Sequence, residues 1–342
     1  MSQKPIPPPE DQPELPWKDR LDQTRKHLPN LNPLPTPPPG FDALKATKEE
    51  IIKAGLPRPP NPETQPALYA KWKSVLSRSY THVPSRFAAI TIPRNALPQG
   101  FKKPTGGTGS NWTSGNWSGA VNLTLASGDS FSNVTGSWTV PNAYPPESAK
   151  LPSGLWQDGM YMCVSWVGID GWNTGDVLQA GTGSQCIVSG GKITSQSAFA
   201  WHEWYTYSWV NFADFPVSPG DSINCTVCAA NGAGSTSGSA WIHNSSTGQY
   251  TSVAITAPPN IKLVGNCAEW VLEDPTWNGV PAPFPDYGAE FFYDCGAGTV
   301  KGAQVDLSTA DLVNLVINGT TVSTAVGESP KVLMTYTGSS GP

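Results

Sequence analysis

Four short segments carry most of the side chains that could do chemistry in this 342-residue chain. The chain has no G-x-S-x-G, no H-E-x-x-H, no P-loop and no dinucleotide-binding fingerprint at a strand–helix junction. Carboxylates and amides among aromatic residues remain. A carboxylate can take a proton from water and return it, and a carboxamide can donate a hydrogen bond to developing negative charge. The segments are NWSGAV (116–121), WVGIDG (166–171), VLQAG (177–181) with AWHEWY (200–205), and NCAEWVLED (266–274).

Strand parity tests whether these residues can share one surface, because side chains alternate between the two faces of a strand. In three of the segments the alternation gives one polar and aromatic face, and in two of them the opposite face is apolar or core-like. A groove can therefore be lined by one face of each strand. The residues on these faces are Cys267, Glu269, Val271 and Glu273; Trp166, Gly168 and Asp170; and Phe199, Trp201, Glu203, Tyr205 and Tyr207.

The elements that must position these residues are short strands. From about residue 106 the sequence shows period-2 alternation interrupted by Gly, Ser, Asn and Pro. GDSINCTVCA places Ile223, Cys225 and Val227 on one face, and the loop NGAGSTSGS precedes the strands SAWIHN and QYTSVAIT. We therefore predict an all-β fold, an antiparallel β-sandwich over residues 106–342.

The preceding residues differ in composition. Residues 1–104 carry 16 Lys and Arg against 9 Asp and Glu, and 21 of the 35 prolines, whereas the rest carries 5 basic and 17 acidic residues and 12 of the 14 tryptophans. Residues 1–40 are expected to be a proline-rich extended linker, and residues 41–105 a basic extension with two short helices. A capping box at Thr47 and Glu50 predicts the first helix. The second begins near Pro66, with Leu68, Trp72, Val75 and Leu76 as its apolar stripe.

Charge and hydropathy exclude some partners and locations. With so few Lys and Arg residues, the acidic domain is a poor partner for nucleic acid, and no apolar run approaches the length that spans a membrane.

Six cysteines, all in the domain, are compatible with three disulfides and an oxidising, extracellular setting. The start MSQKPIPPPEDQP has no apolar signal-peptide region. Cys225 and Cys228 would point to opposite faces of a strand, which argues against a metal site.

Over residues 116–338 the four segments, the GDSI strand and the late VNLVING segment occur in the order found in the glutamic peptidases, the eqolisin family, which this chain resembles. The resemblance implies a concanavalin-like sandwich with a concave cleft and acid endopeptidase activity on polypeptides. It implies that Gln179 and Glu269 are the catalytic pair and that Trp166, Asp170, Trp201 and Glu203 line the substrate cleft. GFDALKATKEEIIKAGLPRPP resembles the N-terminal extension of such precursors. Many members have an acidic residue four positions after the glutamine, where this chain has Gly183.

The chemistry of this pair suits acid conditions. Histidine is protonated there and cannot act as a base, since its reference pKa is about 6.5, whereas a glutamate with a pKa of about 4.3 keeps an ionised fraction. Glu269 would activate water and return the proton to the leaving amine. Gln179 does not titrate, so it would stabilise the oxyanion at any working pH. No metal, nucleotide or organic cofactor is implied.

Alternatives remain open on sequence alone. A serine or cysteine hydrolase using His202 or His243 has weak support, because an isolated histidine in a strand is more often packed or exposed. A carbohydrate-active enzyme would use two carboxylates, such as Glu203 and Glu269, and a lectin-like module would need no catalytic residue. For the peptidase we expect a secreted monomer made as a zymogen. Its basic extension would bind the acidic domain, cover the cleft, and be released when acid neutralises carboxylates, with self-cleavage around residues 95–110.

Overall fold

Alternating apolar residues bury the facing sides of two stacked β-sheets in this computed structural model. The structure describes residues 28–78, 80–84, 86–89, 111–229, 231–277, 280–328 and 331–338. The core between the sheets contains buried tryptophans and aliphatic residues, among them Trp138, Val167, Trp204, Trp270 and Phe292. The predicted all-β sandwich is confirmed.

One sheet, here called the site sheet, contains the strands that carry the four segments. Apart from β4, which runs parallel to β19, its neighbouring strands are antiparallel. In spatial order its strands are β19 (Asp311–Ile317) with β4 (Asn111–Ser114), β5 (Trp117–Asn122), β14 (Ala268–Glu273), β7 (Gly159–Asp170), β8 (Val177–Ser189), β9 (Lys192–Trp204), β10 (Val210–Phe212) and β3 (Phe87–Ala89).

The other sheet, the back sheet, joins the site sheet through pairing of its first strand with β19. The expected GDSI, SAWIHN and QYTSVAIT strands lie side by side in it, so these three predictions are confirmed. In spatial order its strands are β20 (Thr320–Glu328), β21 (Lys331–Tyr336), β17 (Ala289–Thr299), β6 (Phe131–Thr139), β11 (Ser222–Cys228), β12 (Ser237–Asn244) and β13 (Gln249–Thr256), with β1 (Leu31–Pro33) and β2 (Thr81–His82) along the edge of β13.

Minor elements complete the fold. β18 (Gln304–Val305) pairs with β17, and a small separate hairpin is formed by β15 (Thr276–Trp277) and β16 (Val280–Pro281). Two 3₁₀ turns occupy Glu147–Ala149 and Leu307–Thr309. No helix in the described ranges is long and apolar enough to cross a membrane.

The N-terminal extension contributes the two predicted helices, α1 (Lys48–Lys53) and α2 (Pro66–Leu76). The Thr47–Glu50 capping box is present, with the side chain of each residue bonded to the backbone N–H of the other. Within the segment expected to be a linker, β1 forms an edge strand and Leu31 is fully buried. Residues 1–27 of that segment and the expected cleavage region around 95–110 lie outside the described residues.

The six cysteines are all free, buried thiols in the structure, so the expected disulfides are not formed. Part of the physical reason is that alternation along the strands puts Cys267 on the other face of the site sheet from Cys163, Cys225 and Cys295, which lie in the core. Cys225 lies in the core between the sheets, where its thiol donates to the Ala180 carbonyl, whereas Cys267 packs on the opposite face of the site sheet. An even number of cysteines therefore did not indicate pairing here.

Candidate active site

Strand register brings Glu269, Gln179 and Glu203 into one row across the site sheet. Glu269 on β14 lies opposite Gly168 on β7, Gly168 lies opposite Gln179 on β8, and Gln179 lies opposite Glu203 on β9. Directly opposed residues project to the same face. Because adjacent strands lie about 4.8 Å apart, the backbones of Glu269 and Gln179 are separated by roughly 10 Å. Gly168 contributes no side chain between them, and the ring of Trp166 lies over it, 2.8 Å from where a Cβ would be.

The row lies on the face of the site sheet that is turned away from the back sheet. A second apolar cluster covers this face, separate from the core between the sheets. Ala268, Trp270 and Leu272 face the core instead, so the parity predicted for this strand is confirmed. Six tryptophans belong to the cluster on the site face: Trp112, Trp117, Trp166, Trp172, Trp201 and Trp209.

Gln179 is held by a neighbouring carboxylate. Its Nε2 donates to Glu203 Oε2 at 2.6 Å, whereas its buried Oε1 has no hydrogen-bond partner among the described residues. Burial raises the pKa of Glu203 to about 8, against the opposing effect of the Gln179 hydrogen bond, and the charge of Glu273 raises it further. At acidic pH Glu203 is therefore protonated. The Gln179 amide is therefore held in place through its Nε2, and its own Oε1 is left as an acceptor without a partner among the described residues.

Glu269 is almost fully buried, with 1% of its surface exposed. The Cys267 thiol donates to its Oε1 at 3.5 Å, and a Cβ at Gly171 would lie 2.8 Å from its Oε2. Burial raises the pKa of Glu269 well above its usual range, the Cys267 hydrogen bond lowers it, and the charges of Asp170 and Glu273 raise it. Among the residues that the structure describes, no Lys or Arg contributes to this shift. Its proton affinity therefore depends on how much water reaches it.

Glu273 is a functional candidate that sequence reasoning placed on the right face but did not select. Its Oε2 accepts from Trp166 Nε1 at 2.8 Å, and its Oε1 accepts from Asn116 Nδ2 at 3.1 Å. Burial raises its pKa to about 7, against these two hydrogen bonds. Glu273 thus fixes the ring of Trp166, which was predicted to line the cleft. The signal that could have identified it is its shared parity with Glu269.

Asp170 lies at the end of β7, and its role in the structure is local. Its carboxylate accepts from the backbone N–H groups of Val264, Gly265 and Asn266 at 2.7–2.9 Å. The side chain is fully buried. These bonds hold the loop that leads directly into β14 and Glu269, so Asp170 positions the loop and does not join the row of the other candidates.

Trp201 forms part of the aromatic wall on the site face. It lies opposite Gly181 on β8, and its ring packs perpendicular to Trp209 with centroids 5.2 Å apart. Its indole Nε1 is buried and has no hydrogen-bond partner among the described residues. The wall combines apolar ring faces with an available donor, which suits binding of an extended chain with its own carbonyl groups.

The site so built pairs one carboxylate with one carboxamide across a glycine, on the tryptophan-covered face of a β-sandwich. Within the described residues no group of three or more His, Cys, Asp or Glu side chains could hold a metal ion. The groups present can move a proton and stabilise an oxyanion. This arrangement is one that a hydrolase can use.

Comparison with known proteins agrees with that class. The family model described as the Peptidase A4 family matches residues 115–336. The chain is 32% identical over 240 residues to Aspergillopepsin-2 of Aspergillus niger, covering 67% of this chain and 80% of that protein. It is 30% identical over 216 residues to Scytalidopepsin B of Scytalidium lignicola, covering 61% of this chain and 72% of that protein. This chain belongs to the Peptidase A4 family and is a glutamic peptidase.

A solved structure shows the same fold. The crystal structure of scytalido-glutamic peptidase with a transition state analog inhibitor matches with a TM-score of 0.53 and 27% identity, covering 65% of this chain and 98% of that chain. The resemblance to the eqolisin family is confirmed. The comparisons give no support to a carbohydrate-active enzyme or a lectin-like module.

Proposed function

We propose that this peptidase hydrolyses internal peptide bonds of polypeptides in acid, with Glu269 as general base and acid and Gln179 as the oxyanion donor. The observation that carries the proposal is the cross-strand row in which only Gly168 separates the two residues. Side chains placed roughly 10 Å apart at the backbone can both reach one water molecule and one scissile carbonyl. The related scytalido-glutamic peptidase has been crystallised with a peptide based transition state analog, which supports a polypeptide substrate.

The reaction needs one proton to move twice. Glu269 takes a proton from water, whose oxygen attacks the scissile carbonyl carbon, and then gives that proton to the leaving amine nitrogen as the C–N bond breaks. The Gln179 NH₂ donates to the oxygen that carries the negative charge in between. Trp166 and Trp201 border the row and would bind the flanking substrate residues. Glu203 orients Gln179 through the 2.6 Å hydrogen bond.

A general base must be ionised, whereas burial in this structure raises the pKa of Glu269. Entry of solvent would lower that pKa toward the ordinary range near 4.3, because desolvation is its largest cause. We therefore infer that the described conformation is a resting form. The active form is one in which Glu269 has access to water.

The test is hydrolysis of an unfolded protein between pH 2 and 7. Glu269→Gln should lower kcat by roughly 10²–10⁴-fold, the usual contribution of a general base. Gln179→Ala should lower it by roughly 10²–10³-fold, as expected for loss of one oxyanion donor. Full activity in either variant would contradict the proposed role of that residue.

A matched control is Glu273→Gln, which changes a carboxyl group on the same strand and face, two residues from Glu269. Because its carboxylate is bonded to Trp166 and Asn116, we expect a higher KM with much of kcat retained. A chelator and an aspartic-peptidase inhibitor should leave wild-type activity unchanged. Inhibition by either would assign the chemistry to other groups.

We further propose that the N-terminal extension inhibits the enzyme before activation and that the enzyme acts as a secreted monomer. The opposite charges of the extension and the domain support intramolecular binding. The described part of the extension is docked on the edges of both sheets and on the outer face of the back sheet. If the isolated domain is equally active in the presence and absence of an added extension peptide at pH 6, inhibition is excluded.

A further inference from the structure

The docked segment, meaning the described residues from 28 to 89, is attached mostly by contacts that involve no carboxylate. Lys71 Nζ donates to the Cys295 carbonyl and Gln65 Nε2 donates to the Ala303 carbonyl, while Leu68 packs beside Gly296. Among the described residues, one ion pair crosses to the sandwich, between Arg86 and Asp214, and it is largely exposed. Acid neutralisation of carboxylates would therefore remove little of this attachment.

Histidines, by contrast, lie at three separate contacts between the docked segment and the sandwich. The ring of His82 in β2 lies 4.9 Å from Tyr250 in β13, and the ring of Tyr80 lies 3.8 Å from His243 in β12. Phe87 in β3 packs edge-on against His202 in β9 at 5.7 Å. Each pair joins one residue of the docked segment to one of the sandwich.

All three histidines are buried, with at most 9% of the surface exposed. Both ring nitrogens of His202 and the Nε2 of His243 lack hydrogen-bond partners among the described residues. His82 Nδ1 bonds to the Thr36 hydroxyl, and His243 Nδ1 faces the Ser245 hydroxyl at 3.3 Å. None of the ion pairs among the described residues involves a histidine.

Aromatic groups face these rings, and burial among them removes the water that would solvate a positive charge. Tyr250 faces His82, Phe212 and Phe87 face His202, and Trp241 stacks on His243. Arg78, also in the docked segment, acts on His243, and the Arg86–Asp214 pair adjoins Phe87. Burial lowers the pKa of His82 and His243 to about 4 and that of His202 to about 3, with Arg78 lowering that of His243 further.

We propose that His82, His202 and His243 form an acid-sensitive latch that holds the docked segment on the sandwich at neutral pH and releases it in acid. Released histidines would regain ordinary proton affinity, so protons favour the released state. The sign follows: docking is strongest above about pH 6.5 and weakens as pH falls toward 4. Because the proposed function gives the extension an inhibitory role, this latch would make activation respond to acid. That consequence rests on the proposed function, whereas the acid-dependent docking of the segment does not.

The experiment measures docking without catalysis. The full chain carrying Glu269→Gln, which prevents self-cleavage, is followed by amide hydrogen exchange between pH 7 and 3.5, with rates corrected for the intrinsic effect of pH. Relative to β11 in the sandwich, exchange in β1, α2 and β2 should accelerate about tenfold or more between pH 6.5 and 4. Unchanged relative protection over this range would overturn the latch.

Substitution then distinguishes the histidines from other groups. The double variant His82→Phe and His243→Phe keeps aromatic rings at both contacts but cannot titrate, so acid should accelerate exchange less than threefold. Protection from exchange at pH 7 shows that the variant folds and docks. If the double variant does not fold and dock, each single substitution is tested in its place. The control variant, Arg86→Gln with Asp214→Asn, lacks the ion pair between the docked segment and the sandwich. It should release the docked segment at the same pH as the parent protein.

Two results would contradict the proposal here. If the phenylalanine variants release their docked segment at the same pH as the parent, His82 and His243 do not trigger release and the three-histidine latch is wrong. If the ion-pair variant alone loses its pH response, the trigger is carboxylate neutralisation. Failure of the proposed catalytic roles would show in the activity assay of Glu269 and Gln179 variants and would leave these exchange results unaffected.

Discussion

One glycine makes room for the proposed catalytic carboxylate, and a second makes room for the tryptophan ring that lies between this carboxylate and Gln179. Gly168 stands between Glu269 and Gln179 in the cross-strand row, and a Cβ there would lie 2.8 Å from the ring of Trp166. Gly171 has φ +114° and approaches Glu269 so closely that any side chain would displace the carboxylate. The reactive geometry thus depends on residues that have no chemistry of their own.

Gly171→Ala should therefore reduce activity while the fold persists. The added Cβ would lie 2.8 Å from Glu269 Oε2, and a displacement of about 1 Å can cost roughly 100-fold in rate. We expect kcat to fall by that order, measured on an unfolded protein substrate in acid. Gly175→Ala is the control, since a Cβ there meets nothing within 4 Å. Equal activity of both variants would show that Glu269 has freedom to move.

At the scale of elements, α2 depends on the sandwich for its own N-terminus. Its N-cap residue Gln65 makes no side-chain cap hydrogen bond. Gln304 in β18 supplies the acceptor instead, because its Oε1 accepts from the backbone N–H groups of Ala67 and Leu68 at 3.1 and 3.3 Å. The first turn of the helix is thus completed by a residue distant in sequence, and folding of α2 is coupled to docking.

Gln304→Ala should loosen α2 selectively. Loss of a capping acceptor costs about 1 kcal/mol, so amide exchange in Pro66–Leu76 should accelerate about fivefold with little change in β11. The control is Lys73→Ala, an exposed change within the same helix that suits helical propensity. Exchange in the Gln304 variant that matches the control would show that the cap does not stabilise the docked helix.

At the scale of the whole molecule, buried carboxyl groups dominate the pH dependence of stability. Burial raises the pKa of five of them: to about 6 for Asp176, about 7 for Glu273, and about 8 for Glu203, Asp274 and Glu290. In the unfolded chain these groups ionise near 4. Between these limits the native state binds more protons, so stability is fully present in acid and decreases as pH rises toward 8.

Glu290 allows this to be tested away from the active site. It is 2% exposed, lies between the sheets and accepts from Ser165 Oγ at 2.8 Å. Glu290→Gln removes the ionisation, so the loss of stability from pH 6.5 to 8 should shrink by up to about 2 kcal/mol. Above pH 6.5 the histidines are mostly neutral in both states and contribute little. Denaturant unfolding at several pH values measures the difference.

The exposed Glu328→Gln on β20 is the control for that measurement. It should leave the slope of stability against pH close to that of the wild type. A Glu290 variant whose stability still falls as steeply would locate the pH sensitivity in the other buried carboxyl groups.

Much of the site could be predicted because strand parity is a local property. Alternation in CAEWVLED separates Glu269 and Val271 from Trp270, and the structure keeps that separation. Parity could not show which strands are neighbours, so the position of Gly168 between Glu269 and Gln179 could not be predicted from the sequence. It also could not show that the carboxylate of Asp170, on a predicted cleft face, accepts hydrogen bonds from three backbone N–H groups.

The sequence by itself determined the all-β class, the two N-terminal helices and the identities of the candidate pair, because alternation, capping and motif order are encoded over a few residues. Only the tertiary structure decided the cross-strand row, the hydrogen bond between Gln179 and Glu203, the free state of the cysteines and the three histidine contacts with the docked segment. These depend on register between strands far apart in sequence and on burial, which sets pKa values. Both arise only when the sheets pack.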